Sequence, residues 1–277
     1  MTTTQLFMDQ ALARRLERVE GTANAATVTA RARLNPALGA AWIDVDGTYA
    51  MFDGRGSPMT QSFGLGLFAE ATDGAMEQLE AFFRERGADV HHETSPLAGA
   101  ALFAKLADRG YRPIEVSTVL VQALGEMRGA GEARAAKPGP RVRVVEAGDR
   151  ERWIETSVAG WAAHAEYIDF MRGIATLTFA TPETMKFIAE DEHGEPMATG
   201  GLVLHEGVAL LAGASTAPKY RSRGAQGALL AARLEHARRA GCDLAMMVTE
   251  PGSASQRNAE RSAFRVAYSR TKWALST

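Results

Sequence analysis

The most constraining feature of this chain is an apolar run, Val208 to Ala212, that leads through a basic glycine-containing loop into a helix. The loop reads Tyr220-Arg221-Ser222-Arg223-Gly224-Ala225-Gln226-Gly227. Beyond it the apolar positions Leu230, Leu234 and Ala237 recur at helical spacing, with Arg233, Arg238 and Arg239 off that stripe. The first turn of such a helix leaves backbone N–H groups without intrahelical acceptors, at the positive end of the helix dipole. Gly224 and Gly227 let the backbone approach a ligand closely, and Arg221 and Arg223 add charge. This pattern suits a phosphate or pyrophosphate. Strands at Lys186 to Glu190, Met197 to Leu204 and Val208 to Ala212, then this helix and a strand at Leu244 to Val248, predict a mixed α/β sheet.

The motif Arg221-x-x-Gly224-x-Gln226 resembles the (Arg/Gln)-x-x-Gly-x-(Gly/Ala) signature of the GNAT superfamily of acyl-CoA-dependent N-acetyltransferases. Gln226 departs from the small residue usual at that place. Other blocks agree in order. Ser215-Thr216-Ala217-Pro218-Lys219-Tyr220 looks like the end of the family's fourth strand and its lead-in. Gly241-Cys242-Asp243-Leu244 with the apolar run behind it looks like the fifth strand, and Asn258-Ala259-Glu260-Arg261-Ser262-Ala263-Phe264 resembles the last helix and final strands. The resemblance covers about residues 141 to 277.

The resemblance implies acetyl-CoA as acyl-donor cosubstrate and no metal. Arg221, Ser222, Arg223, Gly224, Ala225, Gln226 and Gly227 would wrap its pyrophosphate, Ala214, Ser215 and Thr216 would offer backbone groups to the pantetheine arm, and Asn258 would add a contact. The implied reaction is direct attack of a neutral amine of a small-molecule or amino-acid-like substrate on the thioester. It calls for a base, oxyanion donors and an acid near the sulfur. The family's tyrosine acid, in a Tyr-Glu-x-x-Gly-Phe block, is replaced here by Ala259, and the glycine by Ala263. Ser255, Tyr268 or water are the remaining proton sources, with Ser253 reading as a helix cap. Glu250, after the fifth strand, is the candidate base, and the first two helices nominate Trp161, His164, Glu166 and Tyr167 for the substrate. Trp161 and Phe170 are also of the type that cores bury. An inactive acyl-CoA-binding sensor or partner-binding protein, and a purely structural protein, stay open beside the enzyme.

The chain divides at Gly125 to Pro140, a stretch of small, charged and Pro/Gly residues without periodicity. This predicts a domain over 1–124, a linker over 125–140 and an acetyltransferase domain over 141–277, each domain a mixed, mostly antiparallel sheet flanked by helices. The halves echo each other. Arg86-Gly87-Ala88-Asp89 parallels Ala240-Gly241-Cys242-Asp243, and Arg109-Gly110-Tyr111 parallels Ser262-Ala263-Phe264, which suggests a duplicated domain. Aligned this way, Glu70 stands where the second half has Gly224, so the first half is expected to be a degenerate copy without a cofactor loop.

Composition bounds the rest. At 277 residues there is room for two cores, and a net charge of −2 gives no support for nucleic-acid or membrane partners. The amphipathic, charged N-terminus and the single cysteine, Cys242, fit a cytoplasmic protein, and a homo-oligomer is left open. Gly213-Ala214-Ser215-Thr216-Ala217 lacks the last glycine of a nucleophile elbow. His164-x-Glu166 has no Cys-x-x-Cys to complete a zinc deaminase motif. His91-His92-Glu93 reads as a solvated loop rather than a metal site.

Overall fold

The computed structural model describes residues 6–125, 139–162 and 165–275. In chain order the elements are α1 (Gln10–Leu34), β1 (Ala41–Val45), β2 (Thr48–Phe52), β3 (Gln61–Phe63), α2 (Asp73–Arg84), β4 (Val90–Thr94), α3 (Ala100–Asp108) and β5 (Arg112–Ala123). They continue with β6 (Arg141–Val144), α4 (Arg150–Ala159), α5 (Ile168–Ala180), β7 (Met185–Glu190), β8 (Pro196–His205), β9 (Val208–Thr216), α6 (Ala225–Arg239), β10 (Leu244–Thr249), α7 (Ala254–Arg261) and β11 (Arg265–Leu275). An α/β chain of mixed, mostly antiparallel sheet flanked by helices is what the sequence predicted. Most of the expected linker lies outside the described residues.

Two compact units form: Met1–Gln122 with Met246–Thr277, and Ala123–Ala245. They differ from the sequence halves 1–124 and 141–277, because the end of the chain belongs to the first unit. There β11 runs antiparallel to both β4 and β5, with Trp273 opposite His92 and Tyr268 opposite Val119. Such pairing joins residues far apart in sequence, which local patterns do not encode.

In the first unit the strand order is β1-β2-β3-β4-β11-β5-β10. Alternation along β2 sends Ala50 and Phe52 to one face, where they pack with Met76, Leu79 and Phe83 of α2 and Leu102 and Leu106 of α3. Met51 points to the other face and packs with Ala25 and Val28 of α1. β4 contains His91, His92 and Glu93, so the solvated loop expected there is a buried strand. His92 packs inside, hydrogen-bonded to Ser62 Oγ at 2.6 Å and Tyr111 Oη at 3.1 Å. Burial, reinforced by the neighbouring charges of His91 and Arg109, holds its pKa down to about 3.

In the second unit the order is β9-β8-β7-β6. Trp153, Ile154 and Val158 of α4 pack with Ala175 of α5 and Ile188 of β7. Phe187, the next residue along β7, meets His236 of α6 edge-on at 5.8 Å, so the two neighbours point to opposite faces and a helix covers each. Trp153 is buried here, whereas Trp161 and Phe170 are exposed, at 38% and 47%.

The repeat read from the sequence has a physical counterpart. α2 and α6 end alike: Ala88 N–H bonds the carbonyl of Phe83 and Cys242 N–H that of Ala237, around left-handed Gly87 and Gly241. α3 and α7 also match, with Tyr111 N–H on the carbonyl of Leu106 and Phe264 N–H on that of Ala259. These are Schellman-type ends, which require a left-handed residue after the helix.

Candidate cofactor and catalytic site

β9 is interrupted where the site begins. Thr199 pairs with Ser215 and Gly201 with Ala212, so one residue of β8 faces two of β9. The extra residue makes a β-bulge, and Gly213 within it has φ +62°, a conformation suited to glycine. Ala212, Gly213 and Ala214 are exposed as a result, turning strand backbone out of the regular ladder. Ser215 is buried and donates its hydroxyl to the carbonyl of Ser157 at 2.7 Å, while Ser157 Oγ meets Thr199 Oγ1 at 2.9 Å. Gly160, at the end of α4, has no room for a side chain: a Cβ would overlap Ser215 Oγ and lie 3.2 Å from the backbone N and O of Thr216. A pocket of about 80 Å³ next to the bulge is walled by Trp153, Trp161, Met171 and Ala214.

From the strand end the chain turns into α6 through two left-handed residues, Ser222 (φ +62°) and Gly224 (φ +82°). Gly224 is the N-cap and supplies no side-chain cap, and apart from chain neighbours and the helix's own backbone nothing among the described residues lies within 4 Å of a Cβ built on Gly224 or Gly227. The helix mouth is thus open, with first-turn N–H groups turned outward. Arg221 donates to the carbonyl of Gly160 at 3.0 Å, and Gln226 Nε2 donates to Thr216 Oγ1 at 2.6 Å. Gln226, the departure from the family signature, ties the loop to the strand end. The equivalent helix of the first unit is closed: Thr72 accepts from Ala75 N–H at 3.2 Å, and Asp73 occupies its first turn. The mouth of α6 is therefore electropositive and open, whereas that of α2 is capped and has a carboxylate.

Arg233 lies on the buried side of α6, not off the stripe as the sequence suggested. It donates to the carbonyls of Gly201 at 3.1 Å and Leu229 at 3.3 Å, in space that Gly200 leaves free. It therefore links the helix to β8 at the bulge. Burial lowers its pKa to about 10. The glycines Gly200, Gly201 and Gly213 inside apolar strands were the sequence signal for this irregularity.

The remaining candidates are scattered. Trp161 borders the small pocket, Glu166 and Tyr167 are exposed on a short 3₁₀ turn, and His164 lies outside the described residues. Glu250, Ser255, Asn258 and Tyr268 all fall in the first unit. Ser253 is a cap, accepting from Gln256 N–H at 3.1 Å, and Ser255 and Asn258 are exposed on α7. Ala259, in the tyrosine's place, is buried. Tyr268 is buried with its hydroxyl on Glu17 Oε1 at 2.8 Å, and burial together with the Glu17 charge pushes its pKa well up. Glu250 borders an acidic cleft. Glu17, which the sequence placed only among the charges of an amphipathic N-terminal helix, and Arg270 organise the buried polar cluster beneath.

Residues 150–264 match the model of the Acetyltransferase (GNAT) family. This segment is a GNAT domain. No curated protein matches the chain. Solved structures share the fold at low identity. A GCN5-related N-acetyltransferase from Kribbella flavida is 16% identical, with 90% of this chain and 95% of that one covered at a TM-score of 0.60. A tandem GNAT protein from the clavulanic acid biosynthesis pathway is 11% identical over 82% and 78% at 0.57, and a GCN5-related N-acetyltransferase from Sphaerobacter thermophilus is 14% identical over 85% and 75% at 0.55. The GNAT domain contains the bulged strand β9 and the open mouth of α6.

Proposed function

We propose that the protein transfers an acetyl group from acetyl-CoA to an amino group of a small-molecule or amino-acid-like substrate. The observation that carries this reading is the uncapped N-terminus of α6 at left-handed Gly224, one short loop after a bulged strand. The helix mouth and its arginines would hold the pyrophosphate, and backbone at Ala214 to Thr216 would line the pantetheine arm. The neutral amine attacks the thioester carbonyl, the oxyanion is met by backbone donors, and the tetrahedral species expels the coenzyme A thiolate. The amine loses a proton to a base, and the thiolate gains one from water, since Ala259 supplies none.

A second reading, an acyl-CoA-binding sensor without turnover, is favoured by buried Ala259 and by the commitment of the Tyr268 hydroxyl to Glu17. Calorimetric titration with acetyl-CoA, followed by a free-thiol assay with a panel of amines, separates the two. One site per chain with thiol release supports the enzyme, and one site without release supports the sensor. No binding would remove both.

A further inference from the structure

The first unit contains a cleft of about 810 Å³ between α1, the strands β3, β4 and β5, and the end of β10. That volume is in the range of small-molecule sites, about 300–1,000 Å³. Its lining has four carboxylates in two tiers: Glu93 and Glu20 at depth, Glu115 and Glu250 at the exposed rim. No lysine or arginine is among the lining residues. Behind the floor, Arg270 meets Glu17 at 2.7 Å, Glu20 at 2.6 Å and Glu93 at 3.3 Å, and at the rim Lys272 meets Glu115 at 3.1 Å. Five carboxyl groups thus stand with two cations, so the cleft has more acceptor oxygens than its own cations satisfy.

The second observation is independent of charge. Gln61, Ser117 and Thr249 border the cleft and are each 8% exposed, yet Gln61 Oε1, Ser117 Oγ and Thr249 Oγ1 have no hydrogen-bond partner among the described residues. Buried polar atoms are rarely left so. All three oxygens can accept hydrogen bonds, as can the carboxyl groups, so a partner rich in N–H donors matches this lining. Phe63, Val116 and Val248 also line the cleft and offer apolar surface that suits methylene groups.

We propose that this cleft binds an aliphatic di- or polyamine, one ammonium at the floor among Glu20, Glu93, Gln61, Ser117 and Thr249, another at the rim between Glu115 and Glu250. An anion would be repelled, and a single ammonium would leave one tier unmet. The site lies wholly in the first unit and requires nothing of acetyl-CoA.

The test is a calorimetric titration of the full chain with spermidine, without acetyl-CoA, so that its failure leaves the acetyl-transfer reading standing and the reverse. One saturable site is expected, with n-butylamine at least about tenfold weaker. The double variant Glu115→Gln/Glu250→Gln should weaken spermidine about tenfold, since each exposed pair contributes up to about 1 kcal/mol. Val116→Lys, at an exposed rim position, should abolish binding, with circular dichroism and the melting temperature verifying the fold. No saturation at millimolar spermidine, equal affinity for n-butylamine, or unchanged affinity in both variants would overturn the proposal, as would binding of magnesium chloride but not of spermidine.

Discussion

Arg270 Nε and Glu17 Oε1 stand 2.7 Å apart, both fully buried, although 253 positions separate them in the chain. The pair joins α1 to β11 inside the first unit. Glu20 and Glu93 crowd the same guanidinium. Removing it would leave three carboxylates without their cation. Arg270→Met should therefore destabilise the first unit by about 3–5 kcal/mol at neutral pH. Urea denaturation reads this directly, and a loss under about 1 kcal/mol would mean that the cluster is not held by charge.

The proposed acetyl-CoA site has its own substitution. Gly224 has φ +82° at the open mouth of α6. Gly224→Glu places a strained backbone and a negative charge where the pyrophosphate is expected, and acetyl-CoA affinity should fall by at least about a hundredfold. Wild-type affinity by calorimetry would refute the assignment of the loop.

Gly160→Ala is the companion test. Its methyl group would strike Ser215 Oγ and press on the backbone of Thr216. The strand end must move, and a loss of about 1–3 kcal/mol together with weaker acetyl-CoA binding is expected. A variant with unchanged melting temperature and affinity would show that β9 yields freely there.

Ala263 occupies a left-handed position at φ +67°, and its counterpart after α3 is Gly110 at φ +86°. An L-residue there costs about 1–2 kcal/mol, partly offset by the greater chain entropy of glycine. Ala263→Gly should stabilise the protein by about 0.5–1 kcal/mol. A lowered denaturation midpoint would contradict this.

Two buried groups give opposite pH dependences. His92 falls from 6.5 to about 3 on folding, so between those values only the unfolded chain holds the proton and stability drops as pH falls. Glu93 rises from 4.5 to about 7, chiefly through burial and against the pull of Arg270, so native Glu93 keeps a proton the unfolded chain has lost. Its contribution therefore declines as pH rises through that window. Each slope reaches at most about 1.4 kcal/mol per pH unit. The two oppose each other between 4.5 and 6.5. His92→Gln removes one side, and the variant should lose stability on going from about pH 5 to pH 6.5 relative to wild type. Parallel profiles in urea melts would show that His92 does not titrate as described.

What was legible in the sequence was local. The loop around Gly224, the helix after it and the Gly87 and Gly241 helix ends all rest on residues within one or two turns of each other, whereas the cap that closes α2 is Thr72 and not the Glu70 that the repeat alignment set opposite Gly224. Backbone conformation and capping depend on such near neighbours. The order of strands and helices therefore read correctly, and so did Ser253 as a cap. What failed was everything that depends on distant partners. The charge of Arg233 suggested solvent, yet Gly200 and the Gly201 carbonyl draw it inside. His92 suggested a loop, yet Ser62 and Tyr111 satisfy it in a strand. Glu17 looked like surface on an amphipathic helix, yet Arg270 waits for it from the other end of the chain. By itself the sequence determined the helix mouth that suits a pyrophosphate and the α/β character around it. Only the tertiary structure decided that β11 completes the first unit, and with it where the buried charges and the acidic cleft lie. Strand pairing and ion-pair burial are set by contacts between residues hundreds of positions apart, and no local pattern carries that information.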